Sequence, residues 1–161
     1  MMQAVTLTLS DEIFAIPTRI LHEILEPVPV TRVPRAGSFA TGLINVRGTV
    51  VPLTDLRVAF GMTSRPPDEH TRMLVLDVPV AGAETTVAVI ADRVLDVTEL
   101  DDAAVGEIPE VGMRWPPEFL SGIARTDQGF VIVPDLARIY AAALSEDSAD
   151  FSLEKDPSSC V

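Results

Sequence analysis

One hairpin pattern occurs twice in this chain, and the repetition limits the folds that the chain can adopt. Phe39-Ala-Thr-Gly42-Leu43 is echoed by Phe119-Leu-Ser-Gly122-Ile123, and Asp55-Leu56 is echoed by Asp135-Leu136. The offset at both ends is 80 residues (119 − 39 and 135 − 55). Between these ends each copy has two short apolar runs around a glycine turn. Two copies of one hairpin predict a duplicated small barrel, which presents edges and a groove without a catalytic pocket.

Short apolar runs separated by Gly and Pro favour β structure along the whole chain. Strands are predicted at residues 5–9, 13–16, 42–46, 50–53, 73–78, 85–91, 94–100, 121–126 and 130–133. The predicted class is therefore all-β (mainly β), built from small closed or nearly closed barrels.

Three short elements interrupt the strands. Residues 18–26 are confined by prolines and predict a short helical turn that runs into an extended segment. Asp55 is predicted to cap a helix of residues 56–60. Pro134 at a helix start and Asp135 in its first turn predict a closing helix that reaches about residue 144.

The polar, proline-containing residues 63–71 are the predicted boundary between two halves of one domain. We expect that domain to cover residues 1–144, with a first half at about 10–66 and a second half at about 71–144. Residues 145–161 lose all periodicity and carry Asp, Ser and Glu, which predicts a disordered acidic tail.

Composition disfavours several classes of partner. The net charge of −12 and pI near 4.4 repel phosphate backbones and anionic membrane surfaces, and they favour partners with basic patches. The single cysteine, Cys160, allows no intrachain disulfide, which agrees with a reducing compartment. With no secretory signal or membrane-spanning run visible, we expect a soluble cytoplasmic protein.

Catalytic and metal-binding patterns are weak. His22-Glu-Ile-Leu-Glu26 begins like the zinc motif H-E-x-x-H, but Glu26 replaces the second histidine and Pro27 cuts the helix that the motif needs. A metalloenzyme built on His22 and Glu26 is a minor alternative to a half-exposed histidine beside surface carboxylates. No nucleophile elbow or phosphate-binding loop is present in the sequence. We expect no catalytic residues, no metal and no cofactor.

Asn45-Val-Arg47-Gly48 is the most unusual polar group. The spacing of Asn45 and Arg47 predicts that both side chains project from the same face of a strand, just before a glycine turn. In one interpretation Asn45 bonds the turn backbone and the stem of Arg47 covers apolar surface. In the other, Arg47 offers a rigid, strand-mounted guanidinium to a partner's carboxylate or carbonyl groups.

These residues resemble the CheW family, the bacterial chemotaxis coupling proteins. The strongest motif is Gly42-x-x-Asn-x-Arg-Gly-x-x-x-Pro-x-x-Asp-Leu56, and the match runs from about Leu9 to Tyr140. The segments 22–24, 87–94 and 119–122 are similar to further family segments. Residues 106–107 and 111–115 depart from the pattern expected of the second half.

The resemblance implies two interlocked five-stranded barrels with a third hydrophobic core between them, and no enzymatic activity. Such proteins link a CheA-type histidine kinase, through its own CheW-like regulatory domain, to the cytoplasmic tips of chemoreceptors, the methyl-accepting proteins. The protein would then be cytoplasmic and recruited to membrane-associated receptor arrays, without inserting into the membrane or binding nucleic acid. The chain carries no recognisable kinase, receiver or receptor segment, which favours a stand-alone adaptor.

By motif position, the resemblance implies receptor contacts at Arg47 and Glu23, with Asn45 shaping the turn beneath them. The receptor's helical tip would dock in the groove between the halves. Kinase contacts are implied at Glu110 and Val111. The alternative function is a barrel protein outside chemotaxis that binds a small ligand or nucleic acid.

Overall fold

The computed structural model describes residues 2–33, 40–80, 82–101, 105–106, 117–127 and 129–143. Most of these residues are in β-strands, which confirms the predicted class. The strands are β1 (Met2–Leu9), β2 (Glu12–Pro17), β3 (Leu21–Leu25), β4 (Ala40–Val46), β5 (Thr49–Thr54), β6 (Arg72–Val80), β7 (Ala83–Ala91), β8 (Arg93–Leu100), β9 (Val105–Gly106), β10 (Leu120–Thr126) and β11 (Gly129–Pro134). The helices are α1 (Leu56–Ala59), α2 (residues 136–143) and two 3₁₀ turns, Thr18–Ile20 and Pro117–Phe119.

The strands form two open sheets rather than two closed five-stranded barrels. One sheet has the order β8-β1-β2-β11-β10-β9, and the other has the order β3-β6-β7-β5-β4. Each sheet contains the five expected strands, and the first sheet has a sixth, the two-residue strand β9, which pairs with β10. In the second sheet a bridge between Thr31 and Leu43, with two N–H···O bonds of 2.8 Å, joins the chain after β3 to β4.

The duplication predicted from the sequence is confirmed by the two hairpins. Every bound of β10 and β11 is the corresponding bound of β4 and β5 plus 80 residues. Both hairpins shift register at the same place, between Ala40 and Gly42 in the first and between Leu120 and Gly122 in the second. Each hairpin also joins its sheet by a parallel pair, β5 with β7 and β11 with β2.

An aspartate caps the helix that follows each hairpin. Asp55 Oδ1 accepts a hydrogen bond from the Arg57 N–H at 3.0 Å, and Asp135 Oδ1 accepts one from the Arg138 N–H at 3.1 Å. The predicted cap at Asp55 is confirmed. The predicted start of the closing helix at Pro134 is wrong, because Pro134 ends β11 and Asp135 is the cap before the first helical residue. The second copy therefore repeats the strand–cap–helix order of the first.

The two halves interlock through their strands. β1 and β2 join β8 to β11 in one sheet, whereas β6 and β7 join β3 to β5 in the other, so strands from both sides of residues 63–71 meet in each sheet. The exact division into halves stays a prediction. The tail 145–161, with Cys160, lies outside the described residues.

The largest hydrophobic cluster lies between the two sheets. It contains Leu7 and Phe14 from the six-stranded sheet, Leu74 and Val89 from the five-stranded sheet, and Ile139 from α2. Two smaller clusters lie on single sheets, one around Ala15 and Val131 and one around Ile44 and Leu53. The arrangement agrees with the expected third core between the halves, and the burial of this apolar surface holds the sheets together.

Candidate functional site

Arg47 lies in the turn between β4 and β5, not in the strand. Val46 and Thr49 are the last paired residues of the hairpin, so Arg47 and Gly48 form a two-residue turn. Their φ angles are +54° and +87°, as expected of a turn that follows the right-handed twist of the two strands. The predicted strand-mounted position of Arg47 is therefore wrong, because the alternation of side chains ends at Val46.

Asn45 fixes the conformation of this turn. Its Oδ1 accepts a hydrogen bond from the Gly48 N–H at 2.7 Å. The interpretation that Asn45 bonds the turn backbone is confirmed. The bond holds Arg47 in a left-handed conformation that is unfavourable for most side chains.

The structure brings Arg47 and Glu23 together. Arg47 Nη2 lies 3.1 Å from Glu23 Oε2, and the two side chains are 82% and 18% exposed, respectively. The stem of Arg47 therefore does not lie buried on apolar surface. Because an exposed ion pair contributes only about 0–1 kcal/mol to stability, its main effect is to orient the guanidinium, whose remaining N–H groups face solvent.

An apolar groove reaches Asn45, two residues from Arg47. Asn45 lines one side of it, and Val50, which is 63% exposed, lies on the neighbouring strand. The other apolar side chains of the groove are Val28, Pro29, Leu43 and Ile44. We call Arg47, Glu23, Asn45 and this groove the first docking surface. It suits an amphipathic segment that carries a carboxylate for Arg47 and apolar side chains for Val28 and Val50.

A separate groove lies where the two sheets meet. It is lined by residues from both halves, among them Met2, Ile20, Val78 and Leu136. Arg47, Glu23 and Asn45 do not line it. The structure therefore does not bring the three predicted contacts to the groove between the halves; it places them beside the groove within the five-stranded sheet.

The second hairpin carries an exposed aromatic residue that the sequence analysis missed. Phe130 is 68% exposed, and the guanidinium carbon of Arg125 lies 5.9 Å from its ring centroid. Arg125 and Phe130 are cross-strand partners at the positions that Asn45 and Val50 occupy in the first hairpin. Aligning the two copies of the repeat would have shown that Arg125 and Phe130 correspond to Asn45 and Val50. Glu110 and Val111, the implied kinase contacts, lie outside the described residues.

A buried ionic network surrounds Arg57 of α1 and links it to Asp92, which lies between β7 and β8. Arg57 donates to both carboxylate oxygens of Asp55 at 2.9 and 3.0 Å, and its Nη1 donates to Asp92 Oδ1 at 2.9 Å. Asp92 also accepts from the Ser10 N–H at 2.7 Å. Although desolvation acts to lower the pKa of Arg57, the hydrogen bond to Asp55 and the charges of Asp55 and Asp92 raise it. These groups are committed to one another, so the network is structural.

The described residues hold no group of three or more His, Cys, Asp and Glu side chains that could bind a metal ion. His22 lies in β3, so the helix that a zinc motif would need is not formed there. Its Nδ1 is 3.3 Å from Asp77 Oδ2. Among the same residues no helix is both long and apolar enough to cross a membrane.

Comparison with known proteins gives consistent matches over most of the chain. The family described as CheW-like domain matches residues 3–144. The chemotaxis protein CheW of Klebsiella aerogenes is 29% identical over 135 residues, which cover 84% of this chain and 79% of the relative. The probable chemotaxis protein CheW of Rhizobium etli is 25% identical over 144 residues, covering 89% and 90%.

A solved structure shows the same fold. The crystal structure of the scaffolding protein TtCheW from Thermoanaerobacter tengcongensis matches with a TM-score of 0.76 and 27% sequence identity, and the match covers 86% of each chain. The matched family region contains both hairpins, and with them Arg47, Glu23, Asn45 and Phe130.

Proposed function

Because the chain belongs to the family of CheW-like domains, we propose that it is a non-catalytic adaptor that couples chemoreceptors to a histidine kinase in a bacterial chemosensory array. The relatives are chemotaxis proteins, and the matched crystal structure is of a scaffolding protein. A barrel protein outside chemotaxis that binds a small ligand or nucleic acid is not favoured. An adaptor needs two separate surfaces, and the two hairpins offer one on each sheet.

The first docking surface is the proposed receptor contact. The observation that carries this proposal is the ion pair between Arg47 and Glu23 beside the apolar groove. A chemoreceptor tip is helical, and an amphipathic helix could place apolar side chains against Val28 and Val50 and a carboxylate against Arg47. Glu23 holds the guanidinium in place, and Asn45 holds the turn that carries it.

The second hairpin is the proposed contact for the CheA-type kinase. Phe130 is the most exposed large hydrophobic residue of the described part of the chain, and aromatic residues and arginine are both enriched in protein–protein interfaces. Glu110 and Val111 remain predicted kinase contacts. The partner would be the regulatory domain of the kinase, which resembles this fold.

Recruitment to membrane-associated receptor arrays from the cytoplasm follows from this proposal. We expect each contact alone to be modest and the assembly to gain strength by engaging several partners at once.

Capture experiments with two variants test the proposal. Arg47→Asp is expected to abolish capture by an immobilised receptor tip and to leave capture by the kinase regulatory domain unchanged. Phe130→Ser is expected to give the reverse result. Circular dichroism and urea unfolding of both variants control for folding. The assignment is wrong if either folded variant binds both partners as the wild type does.

A further inference from the structure

The connector after β3 separates two grooves. Residues 28, 29 and 31 line the apolar groove of the first docking surface, whereas residues 30, 32 and 33 line a second groove behind it. Residues 64–67 form the opposite wall of this second groove, and the buried Asp55 and Arg57 lie at its base. We call it the arginine groove. The two grooves share the connector, but the lining residues of the arginine groove include neither Arg47, Glu23 nor Asn45.

The balance of charge in the arginine groove is the reverse of that in the whole chain. The chain has 12 Lys and Arg residues against 24 Asp and Glu residues. The lining of the groove contains three arginines, Arg32, Arg57 and Arg65, and a single acidic residue, Asp55. Asp92, which pairs with Arg57 and Arg65 behind this lining, leaves an excess of one positive charge. A local positive excess in an acidic protein favours an anionic occupant.

Two of the three arginines are available to a ligand. Arg57 is buried and committed to Asp55 and Asp92. Arg65 Nη2 lies 3.1 Å from Asp92, but the Arg65 side chain is 48% exposed and shares that carboxylate with Arg57. Arg32 is exposed and forms no ion pair with any other residue in the described part of the chain. The free N–H groups of Arg32 and Arg65 therefore belong to opposite walls.

The walls between these arginines are apolar. Val30 and Val33 are exposed beside Arg32, and Pro66 and Pro67 follow Arg65. A small inorganic anion would leave this apolar surface in water. We propose that the arginine groove binds an extended acidic peptide segment of a partner protein, with carboxylates on Arg32 and Arg65 and apolar side chains against the valines and prolines. Guanidinium–carboxylate hydrogen bonds and apolar burial would both contribute to its affinity.

Titration of the isotope-labelled full chain, followed by NMR, tests this inference. The probe is an acetylated peptide of alternating Glu and Leu, and its control is the same peptide with Gln in place of Glu. The Glu peptide is expected to shift the amide resonances of residues 30–33, Ser64 and Arg65, and added salt is expected to weaken the effect because exposed charges are screened. Arg32→Gln should weaken binding about tenfold through the loss of one charged contact, whereas Arg19→Gln, at the groove between the sheets, should have no effect.

The inference is wrong if the Glu peptide causes no shifts in these two segments, if the Gln peptide causes the same shifts, or if Arg32→Gln binds as the wild type does. Equal shifts with inorganic phosphate alone would show a simple anion site and would also overturn the peptide assignment. Arg47→Asp is expected to keep the peptide response. A failure of the receptor proposal is thereby distinguished from a failure of this one.

Discussion

Arg47 and Glu23 form an ion pair, 3.1 Å between Nη2 and Oε2, although Glu23 lies in β3 and Arg47 directly follows β4, the two edge strands of the five-stranded sheet. Three strands, β6, β7 and β5, lie between β3 and β4 in that sheet. The sheet must therefore curl until its two edges approach each other. The Thr31–Leu43 bridge supports the same curl, because it joins the connector after β3 to β4. The ion pair of the first docking surface is thus held by both edges of an otherwise open sheet.

The substitution Arg47→Asn should distinguish the effect of the turn conformation from the effect of the guanidinium charge. Asn tolerates positive φ better than most residues, so the free energy of unfolding should change by no more than about 0.5 kcal/mol. Receptor-tip capture should nevertheless be lost, because the guanidinium is absent. Urea unfolding and receptor capture of the same protein sample provide the two readings. A variant that keeps full receptor binding would show that Arg47 acts only through the turn.

Asn45→Ala should loosen the turn. The substitution removes the acceptor of the 2.7 Å hydrogen bond from the Gly48 N–H, and the loss should cost about 1 kcal/mol of unfolding free energy. Asn45→Asp keeps an acceptor at that position and is the matched control, with stability expected near that of the wild type. Equal destabilisation by both substitutions would mean that this hydrogen bond is not the cause.

Asp92→Ala should be the most destabilising of these substitutions. It leaves the buried Arg57 without one of its two carboxylate partners, and breaking a buried ion pair from one side costs about 3–5 kcal/mol. Arg65→Ala, which removes a half-exposed partner of the same carboxylate, should cost less than about 1 kcal/mol. Urea unfolding of both variants checks the contrast. Similar losses from the two would contradict the structural role given to Arg57.

Tyr140 should make stability fall at high pH. Burial raises the pKa of its hydroxyl, and the hydrogen bond to Thr54 only partly offsets this effect. A group whose pKa is higher in the folded state than in the unfolded state gives a contribution that is complete below the unfolded pKa, roughly 10, and is lost above it. The chain has one tyrosine, so tyrosinate absorbance reports on Tyr140 alone.

The absorbance of Tyr140 should therefore stay that of neutral tyrosine above pH ~10 until the protein unfolds. Tyr140→Phe should remove the part of the pH dependence that this hydroxyl causes, as measured by urea unfolding at a series of pH values. Tyrosinate absorbance that appears near pH ~10 while the protein is still folded would contradict the burial of Tyr140.

Features carried by local pattern were predictable from the sequence. Alternating apolar residues located the two hairpins, and the 80-residue offset indicated their duplication. Asp55 was recognisable as a helix cap, because capping depends on residues close in the chain. β9 was not recognisable, since two residues are too few for alternation to be visible.

Features that depend on tertiary contacts were not predictable from pattern alone. Asp92 meets Arg57 across 35 positions of sequence, and no periodicity indicates which buried charges will pair. The approach of Arg47 to Glu23 depends on the curl of the sheet, so only the family resemblance had placed these residues in one site.

The most direct test of the adaptor function is the mass of a three-component complex. Receptor tip, CheA-type regulatory domain and this chain, mixed and separated by size-exclusion chromatography with light scattering, should give one species that contains all three. Omitting the chain should leave the other two components apart, and so should replacing it with Arg47→Asp or Phe130→Ser. The adaptor account is contradicted if the receptor tip and the kinase domain compete for the chain instead of binding it together.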